Sequence, residues 1–325
     1  MLKTRKVPEV SILMPVHGNA PFLKETIKSV EEQSLVDFEF IIVLDRVADD
    51  TKTLLNEKAK LNHRIKMISS KSPGISSALN IGLNHCEGNY VARIDSDDLM
   101  HPQRLKLQKL YLDRHATIDC VGSQIIKINA NSRTIGRSYL PEMPAEISDV
   151  LPFRNCIAHP SVMFRKSTII SIGGYRSEFD GCEDYDLWLR IDNGNNLKNM
   201  EIALTSYRIW PKQTTNKFSD DLLCKLKRAR EIRSLSLFMP YWRTSMIWLN
   251  PFFSARNKIY LQACTSLDML TFSMKPPRNL LKMVVYIFKL LFSCCFIPFK
   301  AVRLLYVIAK YAMKYTVMDR KNICK

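Results

Sequence analysis

The apolar positions of this chain fall in short unbroken runs separated by stretches of helical spacing. Val10-Ser-Ile-Leu-Met-Pro-Val16 is a run of the buried-strand kind, and His17-Gly-Asn-Ala20 after it reads as a turn. From Pro21 to Gln33 the spacing of Phe22, Ile27 and Val30 predicts a helix with one apolar side. Phe38 to Leu44 (FEFIIVL) is a second strand, stopped by Asp45. Residues 50–61 are predicted helical and 65–68 form a third short strand. Ser72-Pro-Gly-Ile-Ser76 opens a helix running to about Leu83, and residues 88–94 form a fourth strand. This alternation of strand and helix predicts a parallel sheet covered by helices on both faces. Ligands of such sheets bind at the carboxyl ends of the strands. Asp45 and the stretch Asp95-Ser-Asp-Asp98 fall at two of those ends, so they are expected to share a crevice.

Beyond a helix predicted over Pro102–Arg114 the pattern changes. Residues 118–128 and 134–139 read as a hairpin, His159–Phe164 as another strand, and Gly173-Gly174 as a sharp turn. Glu183–Arg190 has helical spacing, with Tyr185, Leu187, Trp188 and Ile191 available for packing. The expectation is a mixed extension of the same domain.

Charge divides the chain. Residues 1–221 hold 29 Lys and Arg against 28 Asp and Glu, whereas residues 222–325 hold 19 against 3. The two portions are therefore expected to meet different partners. The nine cysteines show no metal-ligand spacing, which points to a reducing compartment. The apolar run near the N-terminus is short and ends at Pro15, which argues against a signal peptide. Leu280–Tyr315 is apolar with Lys or Arg at 282, 289, 300, 303, 310 and 314. Its longest uncharged run, Leu290–Phe299, has ten residues and includes Pro298, short of the roughly 18–20 a spanning helix needs. Basic residues among apolar and aromatic ones suit attachment to an anionic bilayer surface, with a packed helical bundle as the alternative. Abundant Phe, Leu, Ile and Val argue against nucleic acid as the partner.

Asp95-Ser96-Asp97 is a D-x-D triplet, which alone favours a solvated turn over a metal site; three acids directly after an apolar strand shift the balance toward the metal. Two carboxylates offset by one residue can hold Mg²⁺ or Mn²⁺ while the ion bridges a diphosphate. Asp45 either caps the turn after its strand or binds a base or ribose edge. Gly74, at a helix start, offers backbone N–H groups to a phosphate. Glu183-Asp184 open a helix, where the dipole favours acids, and a carboxylate so placed can also act as a general base. His17, His101 and His159 read as turn or strand-end residues.

Seven stretches taken together resemble glycosyltransferase family 2: VSILMPVHGNAPFLKETIKSVEEQS, FEFIIVLD, SPGISSALNIGL, YVARIDSDDLMHPQRL, HPSVMFRKS, GGYR and CEDYDLWLR, in order over residues 8–215. The resemblance implies a GT-A fold, a Rossmann-like α/β mixed sheet flanked by helices. It also implies a nucleotide-sugar donor, first of all a UDP-sugar, and an inverting single displacement onto a glycan or lipid-linked glycan acceptor. Carried over residue by residue, Pro15 and Val16 line the nucleotide pocket and Asp45 contacts the base. Arg93, Asp95 and Ser96 lie along the donor, Asp97 with Asp95 binds the metal, and Asp184 is the catalytic base with Glu183 beside it. The chain departs from the family pattern at His17-Gly18, at Asp45–Asp49, and at Tyr207-Arg-Ile-Trp210, where the family has a histidine last. The implied organisation is a catalytic domain over 1–219, its donor half about 8–100 and its acceptor half about 101–219, followed by a helical extension over 220–325. The implied location is cytoplasmic, peripheral on the inner membrane face, with no nucleic acid partner. The competing readings are a sugar-phosphate nucleotidyltransferase, whose Gly-rich phosphate loop HGNAPFLK lacks, and an inactive membrane-bound scaffold.

Overall fold

The computed structural model describes residues 7–211 except 153, and beyond them 213, 225, 226, 228 and 229. The predicted extension over 220–325 falls almost wholly outside the described residues. In chain order the elements are β1 (Val10–Gly18), α1 (Leu23–Glu31), β2 (Phe38–Val47), α2 (Asp49–Leu61), β3 (Ile65–Ser69), α3 (Ile75–His85) and β4 (Tyr90–Arg93). There follow β5 (Leu99–Met100), α4 (Arg104–Arg114), β6 (Cys120–Ile128), β7 (Thr134–Arg137), α5 (Pro144–Val150), β8 (Met163–Arg165), α6 (Lys166–Ser171), α7 (Glu183–Ile191) and β9 (Leu197–Arg208).

Among the described residues the nine strands form one mixed sheet of order β3-β2-β1-β4-β8-β6-β9-β5, with β7 on β6. The first four strands are parallel, as the apolar runs predict. β8 then joins antiparallel to both β4 and β6. β1 is central and buried over seven residues, which is why it reads as a continuous apolar run. Its core partners include Phe38, Phe40 and Ile42 of β2 and Leu23, Ile27 and Val30 of α1. The ladder between β1 and β4 ends at Leu13, two residues before Pro15, so the proline's missing N–H breaks no bond to β4. α3 lies close on β1 and β2 because Gly82 has no side chain: a Cβ there would run into Leu13 and Val43.

Three features differ from the sequence expectation. β2 continues through Asp45 to Val47, so Asp45 sits within a strand, level with His17. His159–Ser161 is a 3-10 turn that precedes β8, because Pro160 fits the start of a helical turn and cannot complete a strand ladder. β9, twelve residues long, was not expected. It runs parallel to β6 with its register broken at Ser123/Gln124 and Gln124/Ile125, and such irregularity hides an alternating pattern. Its end pairs with the two-residue β5, which ties the segment after the acidic triplet to Thr205 and Ser206.

Candidate active site

β4 ends at Arg93, and the chain then turns through Ser96 and Asp97, the Asp98 N–H donating to the Asp95 carbonyl at 3.3 Å. The turn is held from α1 by Thr26, whose hydroxyl donates to the Ser96 carbonyl at 3.0 Å. It brings carboxylate oxygens of Asp95, Asp97 and Asp98 within 4.8 Å of one another. Asp98 is fully buried; one oxygen accepts the Arg208 N–H at 2.8 Å and the other, Oδ2, has no hydrogen-bond partner. Burial, then the charges of Asp95 and Asp97, push the Asp98 carboxyl well above its ordinary range. Burial and Asp95 likewise raise Asp97, against the hydrogen bond from Trp210. An all-oxygen set with a buried, unpaired carboxylate oxygen fits a hard divalent cation.

In β2, on the far side of β1, Asp45 is buried and surrounded by donors. His17 Nδ1 lies 3.2 Å away, Arg46 Nε donates at 3.1 Å and the Gly74 N–H at 3.4 Å. Burial opposes its ionisation, yet the hydrogen bonds from Arg46, Gly74 and His17 bring the carboxyl below its ordinary range. Asp49, the other acid of this region, is exposed on the first turn of α2.

Glu183 and Asp184 open α7. Glu183 is buried, with Oε2 accepting the Gly181 N–H at 2.8 Å and Oε1 4.0 Å from His159 Nδ1. Burial and the adjacent Asp184 raise its carboxyl to about 7. Asp184 is half-buried and accepts the Tyr185 N–H at 2.7 Å. The third acid of this stretch, Asp186, is structural: Arg176 and Arg190 both bind it, and Arg190 also donates to the Ile172 and Gly174 carbonyls. The Gly173-Gly174 turn, with φ of +83° and +68°, is thereby fastened to α7.

Arg93 connects the two acidic groups. It is buried, which opposes its charge, but its ion pair with Asp95 and the nearby Glu183 keep it ionised. α3, whose start gives the Gly74 N–H to Asp45, is joined by hydrogen bonds to the segment that precedes α7. Asn80 donates to the Tyr175 carbonyl at 2.7 Å and accepts the Tyr175 N–H at 2.8 Å. The Ser76 N–H donates to Asp180 at 3.1 Å, and its hydroxyl to the Arg176 carbonyl at 3.2 Å.

Several of the candidates from the sequence have surroundings other than those expected. Val16 is a fully buried core residue, and Pro15 is buried in the same strand; His17 is the exposed side chain at that end. Gly74 gives its N–H to Asp45, and a Cβ on it would strike Asp180, so the start of α3 is already met by two carboxylates. Arg93 lies beneath Asp95 with little of its surface exposed, a support for the acid and not a surface group. His159, expected at a strand end, is buried against Trp188 and Tyr175, its Nε2 3.0 Å from the tyrosine hydroxyl; burial and Arg93 keep it neutral. Arg208 and Trp210 carried no signal beyond their place in the departing Tyr-Arg-Ile-Trp segment. Arg208 is fully buried: its Nε donates to the Asp97 carbonyl at 2.8 Å and its guanidinium pairs with Glu25 at 2.9 Å.

The sequence profile described as "Glycosyl transferase family 2" matches residues 11–170. The O-antigen biosynthesis glycosyltransferase WbnJ of Escherichia coli is 35% identical over 217 residues, covering 66% of this chain and 84% of that protein. The chain belongs to glycosyltransferase family 2. The UDP-Gal:alpha-D-GlcNAc-diphosphoundecaprenol beta-1,3-galactosyltransferase of Escherichia coli is 28% identical, covering 65% of this chain and 77% of that one. Among solved structures, S. aureus TarS 1-349 in complex with UDP-GlcNAc superposes with a TM-score of 0.57 at 19% identity, covering 70% of this chain and 66% of that chain. Against the longer TarS chain the match spans only 40% of its length. The mixed sheet flanked by helices is a GT-A fold, and the protein is a family 2, inverting glycosyltransferase. Among the described residues, no helix is long and apolar enough to cross a membrane.

Proposed function

We propose that this glycosyltransferase moves a sugar from a UDP-sugar to a hydroxyl of a lipid-linked glycan, in assembly of a bacterial surface polysaccharide. The carrying observation is the gathering of the Asp95, Asp97 and Asp98 carboxylates within 4.8 Å of one another, with buried Arg93 ion-paired to Asp95, which supports a cation and diphosphate site after β4. The lipid-linked acceptor and the UDP donor are supported by what the related galactosyltransferase and the TarS complex are named for.

In this reading His17 and Asp45 meet the nucleoside, and Arg93, Asp95 and Ser96 flank the donor. Asp95, Asp97 and Asp98 would hold Mg²⁺ or Mn²⁺, which neutralises charge on the leaving nucleoside diphosphate. Asp184 takes the proton from the acceptor hydroxyl. The acceptor oxygen bonds to the anomeric carbon as the bond from that carbon to the phosphate oxygen breaks on the opposite face. Asp184 is preferred to Glu183 because it is half-buried where Glu183 is enclosed against His159. A proton retained on Glu183 near neutral pH also relieves repulsion between the neighbours.

The reading is tested by nucleoside-diphosphate release across a panel of sugar nucleotides, with and without EDTA and with lipid-linked acceptors. Release from UDP-sugars alone, abolished by EDTA, is the expected result; release from no sugar nucleotide on any acceptor removes it. The excess of 19 basic over 3 acidic residues in 222–325 supports a further part of the proposal, attachment to the anionic inner face of the membrane.

A further inference from the structure

β9 delivers two consecutive contacts to the acidic turn. At its end the Arg208 N–H donates to Asp98 at 2.8 Å; two residues on, the indole N–H of Trp210 donates to Asp97 Oδ2, also at 2.8 Å. The Trp210 ring is seated edge-on against Phe22 of the α1 entry, with centroids 5.4 Å apart and planes at 77°. Phe22 is in turn covered by the Arg208 guanidinium at 4.1 Å. The indole is thus packed in place before it meets the carboxylate.

An indole nitrogen can donate a hydrogen bond and cannot ligate a cation. Trp210 therefore fixes the orientation of Asp97 while adding no nitrogen to the cluster, whose ligand candidates among the described residues are the three aspartates alone. We propose that Trp210 is a positioning residue that sets both the strength and the ion selectivity of the acidic cluster: it orients Asp97 for a hard, oxygen-seeking cation and excludes a nitrogen ligand at that place. The inference rests on the reading that Asp95, Asp97 and Asp98 hold a divalent cation.

The experiment uses the full-length chain and MnCl₂ as the probe, with and without UDP, free Mn²⁺ being read from its electron paramagnetic resonance signal. Trp210→Phe keeps a ring against Phe22 and removes the donor; Mn²⁺ affinity is expected to fall about 10- to 100-fold, the usual effect of losing a ligand's supporting hydrogen bond. Trp210→His offers an imidazole at the same place. In competition titrations it should favour Co²⁺ or Zn²⁺ over Mg²⁺ by about tenfold or more relative to the parent chain. Parent-like Mn²⁺ affinity in the folded Phe variant overturns the proposal. If that variant does not fold, the ion preference of Trp210→His decides, an unchanged preference overturning it. Failure of the parent chain to bind Mn²⁺ under either condition, with Asp97→Asn indistinguishable from it, removes the metal reading itself and this inference with it.

Discussion

The enclosure of Glu183 predicts a pH dependence of stability that its neutral isostere should lack. Folded, the carboxyl holds its proton to about 7, because burial and Asp184 oppose the charge; unfolded, it releases the proton near 4.5. Between these values the folded state binds the extra proton, so stability falls as pH rises through the window, and the loss is complete above about 7. Raising a carboxyl from 4.5 to about 7 corresponds to roughly 3 kcal/mol, an upper value because Asp184 shares in the titration. Glu183→Gln keeps a carbonyl to accept the Gly181 N–H and never ionises. It should match the parent near pH 4.5 and become the more stable of the two by pH 8. At about 2–4 °C per kcal/mol, the separation in thermal midpoint should reach several degrees.

Thermal unfolding followed by near-UV circular dichroism, for both proteins at half-unit steps from pH 4.5 to 8.5, measures the difference directly. Other titrating groups cancel in the subtraction. Asp184→Asn removes the second cause of the shift, so its stability should fall less steeply over the same window. Parallel curves for the parent and Glu183→Gln would refute the reasoning: Glu183 would then ionise in the folded chain as it does in the unfolded one.

Four further outcomes are expected. Asp97→Asn should abolish turnover and Mn²⁺-dependent donor binding with the fold intact, and full activity of this variant in EDTA would exclude the metal role. Asp184→Asn should bind donor normally in calorimetry but lose roughly 10²–10⁴-fold in kcat; an unchanged rate transfers the base to Glu183. Asn80→Ala removes both hydrogen bonds between α3 and Tyr175, and should lower kcat by up to about 10²-fold with donor affinity retained, through misplacement of the α7 acids. The full chain should sediment with anionic vesicles, partly reversed by salt at about 1 kcal/mol per basic residue, and its remaining in the supernatant at low salt would refute membrane attachment.

How legible this site was depended on where its information lies. β1, β2 and β4 are buried on both faces, and that burial writes itself into the sequence as unbroken apolar runs. The acidic turn and the α7 acids stand beside such runs or at a helix start, so residue type and place together mark them. His159 gives no such sign. Its neighbours Tyr175, Trp188 and Glu183 are 16 to 29 residues away in sequence, and only the tertiary fold makes it a buried, neutral partner. The same holds for Val16: apolarity predicts burial, but not whether the covering is protein core or ligand pocket. β9 was lost because its bulged pairing with β6 breaks the two-residue period on which strand prediction rests.

Arginine burial is the hardest of these to read and bears most on the acidic turn. Arg93, Arg104 and Arg208 are all buried, although sequence position gives no reason to expect it of any of them. Arg104 donates to the carbonyls of Arg93, Pro160 and Val162, at 2.7, 2.7 and 2.9 Å, joining the end of β4 to the turn that carries His159. Arg208 joins β9 to the turn through the Asp97 carbonyl and to α1 through Glu25. A lysine could fill neither of the last two places, since Arg104 and Arg208 each use several N–H groups of a planar fork at once. Removing either would strand buried carbonyls, at about 1–3 kcal/mol for each unsatisfied group. The close approach of Asp95, Asp97 and Asp98 is thus supported from behind by guanidinium charge, Arg93 on Asp95 above all, before any cation or diphosphate arrives in front. That arrangement keeps the carboxylates gathered, and it explains why the acids are stable as a cluster while Asp98 still holds one oxygen without a protein partner.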